Sequence, residues 1–543
     1  MIKNKPFTIL LGGWVALALI QAGLTDLAND EAYYWVYSRR LDWGYFDHPP
    51  VVALFIKAGY FLFQNELGVR LLTIISQAIS LYLIFRLLIQ EPRTEHFFSL
   101  VVLTPLLLAF SFIAVPDAPL LLGTVIFLVF YKQYSEEARW GLVLPLAITM
   151  AFMMYSKYHA ALVILLVMFS KPKLWLDIKW IMACTLGALL FAPHLWWQYQ
   201  HEFPSLKYHL IDRNTAFEFK DVGMFIVNQL INFNPIIFGL VGWRMLKSPT
   251  KSNDFERALS FIFFGFLLFF LVMTWRGHIE PQWTYVLVVP ILYYGIKFFS
   301  TGDWKLVLRS GLIIIPVLVL GRICLVTDLI PLPTEFHGYP ALAEKIKGAA
   351  NGKPVVVLNS YQLTAKYHFY AQEETIGMIT DGRRNQYSLY RDEESLLNQE
   401  VYLISRRDQK NFEKVNTDGH YSVWGKPVEA FSYYKDVAIS TSEILKQDSA
   451  TLSFPITVVN PYKEDLILDD DRELVLVILE DGRAKDFYAI ETDLKIVESG
   501  KRYEAQARVP LSERLPNRQA VIGIRTAGQF FSFNSGLIQL RTE

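Results

Sequence analysis

Before residue 327 the chain repeats one pattern: a long apolar run, a short polar break, then another apolar run. A helix needs roughly 20 apolar residues to cross a hydrocarbon core of about 30 Å. No water is available there, so an open sheet or an irregular chain cannot satisfy its backbone in lipid. The pattern therefore restricts residues 1–330 to a polytopic all-α bundle. The runs fall at about 7–24, 68–88, 97–115, 118–132, 140–155, 159–171, 180–197, 223–245, 258–274, 284–299 and 306–326. The first follows Lys3 and Lys5, as a signal peptide would, but no convincing small-x-small cleavage site ends it, so an uncleaved span is expected.

Composition agrees. Hydrophobic residues make up 52% and charged residues only 19%, with a mean hydropathy of +0.26. Soluble domains carry about 25% charged residues. The formal net charge is zero, which gives no reason to expect a nucleic-acid partner. Two cysteines, Cys184 and Cys324, lie in apolar runs and form no disulfide framework.

Basic residues set the orientation, because cytoplasmic loops collect Lys and Arg. With the N-terminus inside, the inside loops hold Arg86 and Arg93, then Lys132 and Arg139, then Lys171, Lys173 and Lys179, and so on through Arg309. An odd number of crossings then places residues 327–543 outside. The stretch 50–64 is apolar but short, contains Lys57, and would reverse the register. It is expected as a helix lying at the outer face or packed in the protein.

From Pro331 charged residues become frequent and apolar runs shorten to strand length. Helical patterns (ALAEKIKGAA) mix with buried strands (KPVVVLNS, EVYLIS) over 331–435, which reads as an α/β domain. Residues 436–543 alternate between strands and turns (LSFPITVVN, ELVLVILEDG, AVIGIRTAG), the pattern of a β-sandwich. Neither part has a nucleotide-binding glycine loop or a metal-ligand spacing.

The expected outer loops carry the chemistry: NDEAYYW, YFDHPP, VPDAP, YSKYHA, PHLWWQYQHEFPSLKYHLIDR and WRGHIEPQW. Ionisable groups at membrane depth are costly and tend to be functional. Each has a plainer reading beside the functional one. Asp30 and Glu31 suit a general base on an acceptor, or a cap on the helix EAYYWVYSRR with Asn29 or Asp30 as N-cap. Asp47 and His48, held by two prolines, add a second acid and a histidine to the same loop, and with His278 they are candidate ligands of a divalent metal. Asp117 suits catalysis or a turn. Lys157 suits a phosphate or snorkelling to the interface. Arg213 and Arg276 are further phosphate candidates. No cofactor follows firmly from these residues.

Asp30-Glu31-Ala32-Tyr33-Tyr34-Trp35, Tyr45-Phe46-Asp47-His48-Pro49-Pro50, Pro116-Asp117-Ala118-Pro119 and Ser156-Lys157-Tyr158, in that order, resemble the dolichyl-phosphate-mannose–protein mannosyltransferase superfamily. The bacterial branch that includes the lipid A aminoarabinose transferase is the most similar. The resemblance covers about residues 5–330. It implies a GT-C fold with about 11–13 transmembrane helices and inverting transfer from a polyprenyl-phosphate sugar at the outer face of the bacterial inner membrane. The acceptor would be a lipid, a glycan or a protein. The resemblance also implies Asp30 as the base, Asp47 and Asp117 as further catalytic acids, and Lys157 at the carrier phosphate. Glu31, Tyr34, Tyr158, His278 and Glu280 would line the substrate site. His48 stands where the aminoarabinose branch has a lysine, a departure that leaves phosphate binding and metal binding both open. A lipid-carrier flippase or a non-catalytic assembly factor is the alternative. A flippase would carry polar residues on both faces, whereas here they gather on one.

Overall fold

The computed structural model describes residues 5–89, 93–209, 217–247, 253–329, 334–380, 384–415, 421–447, 451–480, 483–511, 518–527 and 530–542. They form two compact units, residues 1–337 and 338–543.

Among the described residues the first unit has helices and no strand, and most of each apolar run of the sequence lies on helix. Among the described residues six helices are long and apolar enough to cross a membrane: Lys5–Leu24, Glu66–Leu88, Asp117–Glu136, Ile178–Gln200, Asp254–Arg276 and Thr301–Val326. The protein is therefore a multi-pass membrane protein. The remaining runs differ from simple spans, and prolines account for two of the differences. The run 97–115 is interrupted between Thr94–Leu103 and Pro105–Ala109, because Pro105 drives Thr104 out of helical geometry (φ −101°, ψ 97°). The run 223–245 is two helices, Phe219–Phe233 and Pro235–Lys247, bent by 96°. Asn234 makes the corner with φ 62°. It is fully buried. Its amide donates to Leu103 O and Ser310 Oγ while its Oδ1 accepts from Ile236 N–H at the start of the second helix, so the corner is fastened to two other helices. The helices Trp140–Ser156 and Ala160–Ser170 leave Lys157, Tyr158 and His159 in a non-helical link between them.

The segment after Pro50 forms the helix Val51–Leu62 and packs in the protein. Its Gly59 meets Gly68 so closely that a Cβ on Gly59 would lie 2.2 Å from Gly68 O. Only glycine permits that approach.

One buried ion pair joins most of this corner. The Glu31 carboxylate has no exposed surface and accepts four hydrogen bonds: from Arg70 Nε (2.8 Å), Arg70 Nη2 (2.6 Å), Ala28 N–H (2.8 Å) and Ala114 N–H (2.7 Å). The remaining Arg70 donors go to the carbonyls of Ala22, Thr25 and Asp26. The helix Asn29–Arg39 thus follows Ala28 and has no side-chain cap, so Asn29 and Asp30 are not its N-cap; Glu31, one turn in, takes up the Ala28 N–H instead.

The second unit carries both folds expected of the tail. A five-stranded sheet runs Ile376–Met378, Val355–Leu358, Val401–Ser405, Val423–Val428, Glu413–Val415, the first three parallel. Helices Tyr339–Ala350 and Tyr361–Ala371 accompany it. A sandwich follows. In its three-stranded sheet, Thr451–Val459 pairs with Arg502–Pro510 and Ala438–Ser440. Its inward residues Phe454, Ile456 and Val458 share a core with Leu474, Leu476 and Ile478 of the six-stranded sheet. Period-two alternation in Thr451–Val459 produces that face. The α/β and sandwich segments belong to one compact unit. Buried Glu393 reaches across, pairing with Lys435 at 3.2 Å and accepting from Tyr462 Oη at 2.7 Å.

Replacing Arg70 by Ala strands a fully buried carboxylate, which costs about 3–5 kcal/mol. Arg70→Ala should melt well below wild type in detergent. An Arg70→Met/Glu31→Gln pair, which removes both charges, should recover much of the loss.

Candidate functional site

The turn that carries Asp47 and His48 is fastened to the helix Asn29–Arg39 by tyrosines. Tyr37 and Tyr45 stack at 4.2 Å with an 8° tilt. Tyr45 Oη donates to the carbonyls of Tyr37 and Arg40, and the turn closes through Tyr45 N–H to His48 O at 3.1 Å. Asp47 is buried and accepts from Tyr37 Oη at 3.2 Å. His48 sits edge-on to Tyr34, with centroids 5.5 Å apart. Asp30 lies four residues before Tyr34 and so shares its helix face.

His48 of this turn lines a cavity of about 610 Å³. One part of its wall is apolar, from Met154, Leu162, Leu165, Leu195, Phe269 and Met273. His48, Lys157, His159, His209, Arg276 and His278 also line it. Such a surface suits a ligand that is hydrocarbon at one end and anionic at the other.

Lys157 is 4% exposed, and its ammonium donates to both Asp117 oxygens at 2.7 Å. It also lies 5.8 Å from the centre of the Trp283 ring. Asp117 opens the helix Asp117–Glu136. The segment before it is held from two sides. Ala114 N–H donates to Glu31, and Phe112 packs under both Arg70 and Arg322, whose guanidinium carbons are 5.2 and 5.9 Å from its ring centre. Arg322 further donates to Leu108 O and Ser111 Oγ.

The structure thus gathers five of the expected residues, His48, Lys157, Tyr158, Arg276 and His278, around one cavity. Tyr34 backs His48. Glu280 lies 3.9 Å from His278 Nε2, with both side chains partly exposed. Three expectations change. Glu31 was expected at substrate, but Arg70 and two backbone N–H groups take up the four acceptor positions of its carboxylate, which is fully buried. Asp117 was expected as a catalytic acid, but its carboxylate is bound to Lys157 through both oxygens. Asp47, His48 and His278 were expected as candidate metal ligands, but among the described residues no group of three or more His, Cys, Asp or Glu side chains is placed to hold a metal. Arg213 lies outside the described residues.

Several cavity residues were not singled out in the sequence: His159, His194, Gln198, Ser205, His209 and Trp283. All stand in the polar loop segments identified above, YSKYHA, PHLWWQYQHEFPSLKYHLIDR and WRGHIEPQW. Their signal was the density of polar and aromatic residues beside apolar runs. Gly44 explains how the turn fits here: a Cβ would lie 2.5 Å from Trp197 Cε3 and 2.9 Å from His194 Cε1. Gly44→Ala should therefore push the turn off the helix Ile178–Gln200 and cost about 1–3 kcal/mol through overpacking, read as a lower melting temperature in detergent.

Among known proteins, the family described as dolichyl-phosphate-mannose-protein mannosyltransferase matches residues 47–197, a stretch that holds Asp47, His48, Asp117, Lys157, Tyr158 and His194. The lipid A galacturonosyltransferase RgtD of Rhizobium johnstonii is 26% identical over 267 residues. That match takes in 45% of this chain and only 54%, about half, of the relative. ArnT from Cupriavidus metallidurans matches in structure in the apo state (TM-score 0.58, 14% identity, 77% of this chain and 97% of that one). The same protein bound to undecaprenyl phosphate gives a TM-score of 0.59 at 15% identity, over 78% of this chain and 98% of that one. The chain has the GT-C fold and is similar to ArnT.

Proposed function

We propose that this protein is an inverting glycosyltransferase that moves a sugar from a polyprenyl-phosphate carrier to a lipid, glycan or protein acceptor at the extracytoplasmic face of the bacterial inner membrane. The cavity carries the reading. Its apolar wall suits isoprenoid hydrocarbon, and Lys157, Arg276 and the histidines suit a phosphate. The names of the relatives agree: one acts on lipid A, and one was solved with undecaprenyl phosphate. The excess of Lys and Arg in alternate loops supports residues 338–543 on the outer side.

In this reading the acceptor oxygen attacks the anomeric carbon. Asp30 takes the acceptor proton, and the carrier phosphate leaves from the opposite side with the electrons of the broken C–O bond. The phosphate departs as a stable anion and needs no general acid, so one base suffices. Asp47 steadies the His48 turn, and Asp117 holds Lys157 where the phosphate arrives. Lys157 then shares its charge between Asp117 and the incoming anion.

Asp30→Asn should lower transfer by about 10²–10⁴-fold while binding of undecaprenyl phosphate to the purified protein is kept. Near-normal turnover would remove Asp30 as the base. Lys157→Met combined with Asp117→Asn removes the buried pair without stranding a charge, and it should weaken undecaprenyl-phosphate binding by about tenfold or more. In cells, mass spectrometry of a deletion strain should show a polyprenyl-phosphate sugar accumulating and one envelope modification missing. The first names the sugar and the second the acceptor. No change in either would overturn the assignment.

A further inference from the structure

Along the cavity wall runs a chain of side-chain hydrogen bonds whose direction can be derived. At one end the carbonyl of Trp43 lies 2.7 Å from His194 Nδ1. A carbonyl only accepts, so Nδ1 carries a hydrogen. In the neutral ring Nε2 is then an acceptor, and Tyr158 Oη, 2.9 Å away, donates to it. At the other end Ser205 Oγ lies 2.8 Å from Phe46 O and 3.1 Å from Tyr45 O, so the serine hydroxyl must donate outward to the turn. With their hydrogens used, Tyr158 Oη and Ser205 Oγ can therefore only accept from the residue between them. Gln198 supplies it: its amide nitrogen is 3.0 Å from Tyr158 Oη and 2.8 Å from Ser205 Oγ. The three backbone carbonyls thus dictate the His194 tautomer and the Gln198 amide orientation.

This chain joins two segments that line the cavity, the turn that carries His48 and the link that carries Lys157. Trp43, Tyr45 and Phe46 lead into Asp47-His48, and Tyr158 directly follows Lys157. His194, Gln198 and Ser205 are each at most 5% exposed, so water does not compete for these bonds. We propose that His194, Gln198 and Ser205 are positioning residues that set the spacing between the His48 turn and the Lys157 link, and so the fit of the carrier phosphate. The inference rests on the carrier-binding reading above. It also accounts for Tyr158, which lines the cavity and whose hydroxyl is taken up by the chain.

The test is binding of undecaprenyl phosphate to the purified full chain in nanodiscs, with melting temperature measured alongside. Wild-type binding checks the carrier reading by itself; absent binding overturns that reading, and this one with it. Gln198→Glu keeps the shape but loses both N–H donors. Ser205→Ala loses the hydroxyl, and Ser205→Thr restores it. Gln198→Glu and Ser205→Ala should each weaken binding by about 5–20-fold, with Ser205→Thr back within about twofold. Because Ser205 acts through the turn, Ser205→Ala added to His48→Ala should cost little beyond His48→Ala alone, within about twofold. The proposal fails if Gln198→Glu and Ser205→Ala bind like wild type. It fails equally if the His48 and Ser205 effects multiply, which is the signature of a merely structural loss. Should Ser205→Ala not fold, Gln198→Glu paired with His48→Ala decides in the same way.

Discussion

The Glu31–Arg70 pair is the constraint on which one corner of the membrane unit depends. A carboxylate and a guanidinium without exposed surface are tolerable only when every donor and acceptor is used. Here they are: four bonds to Glu31, and five from Arg70. Those bonds tie together the end of the helix Lys5–Leu24, the start of Asn29–Arg39, the helix Glu66–Leu88 and the segment that leads to Asp117. Asn29 N–H adds a bond to Glu335 Oε2 at 2.8 Å, placing another carboxylate at the start of the same helix.

From that corner the order is carried into the cavity by two routes. One goes from Glu31 through Ala114 to Asp117, and from Asp117 to Lys157. The other goes from the helix Asn29–Arg39 through the Tyr37–Tyr45 stack to Asp47 and His48, and then through Ser205 and Gln198 to Tyr158. The two meet at Lys157-Tyr158, the link between two short helices. A cation beside hydrocarbon is held there by neighbours on both sides, the rigidity that the proposed carrier-phosphate site would need to discriminate by geometry.

Much of this was legible in residue order. Long spans follow from apolar length, and most of each expected run is helix, although the runs 97–115 and 223–245 are broken. The strands of the tail follow from period-two alternation, which Thr451–Val459 displays residue by residue. The site loops stood out because ionisable and aromatic residues there interrupt apolar sequence. The form of the spans was less legible. The 96° corner at Asn234 depends on partners at Leu103 and Ser310, which are distant in the chain. Asp30 and Glu31 looked alike as neighbouring acids. They part company only because a helix sends successive side chains to different faces, and Arg70 waits on one of them.

Residue order alone therefore specified a polytopic helical unit, a β-rich C-terminal unit and the loops in which polar chemistry collects, since all three depend on local periodicity. Helix packing selected which polar groups are occupied by the protein and which face the cavity. Glu31 with Arg70 and Asp117 with Lys157 are pairings 39 and 40 residues apart, and His194 meets Trp43 across 151. Such partners are brought together by the way the helices pack. Whether a buried charge keeps capacity for a ligand depends on every hydrogen bond around it, and no local pattern in a chain contains that count.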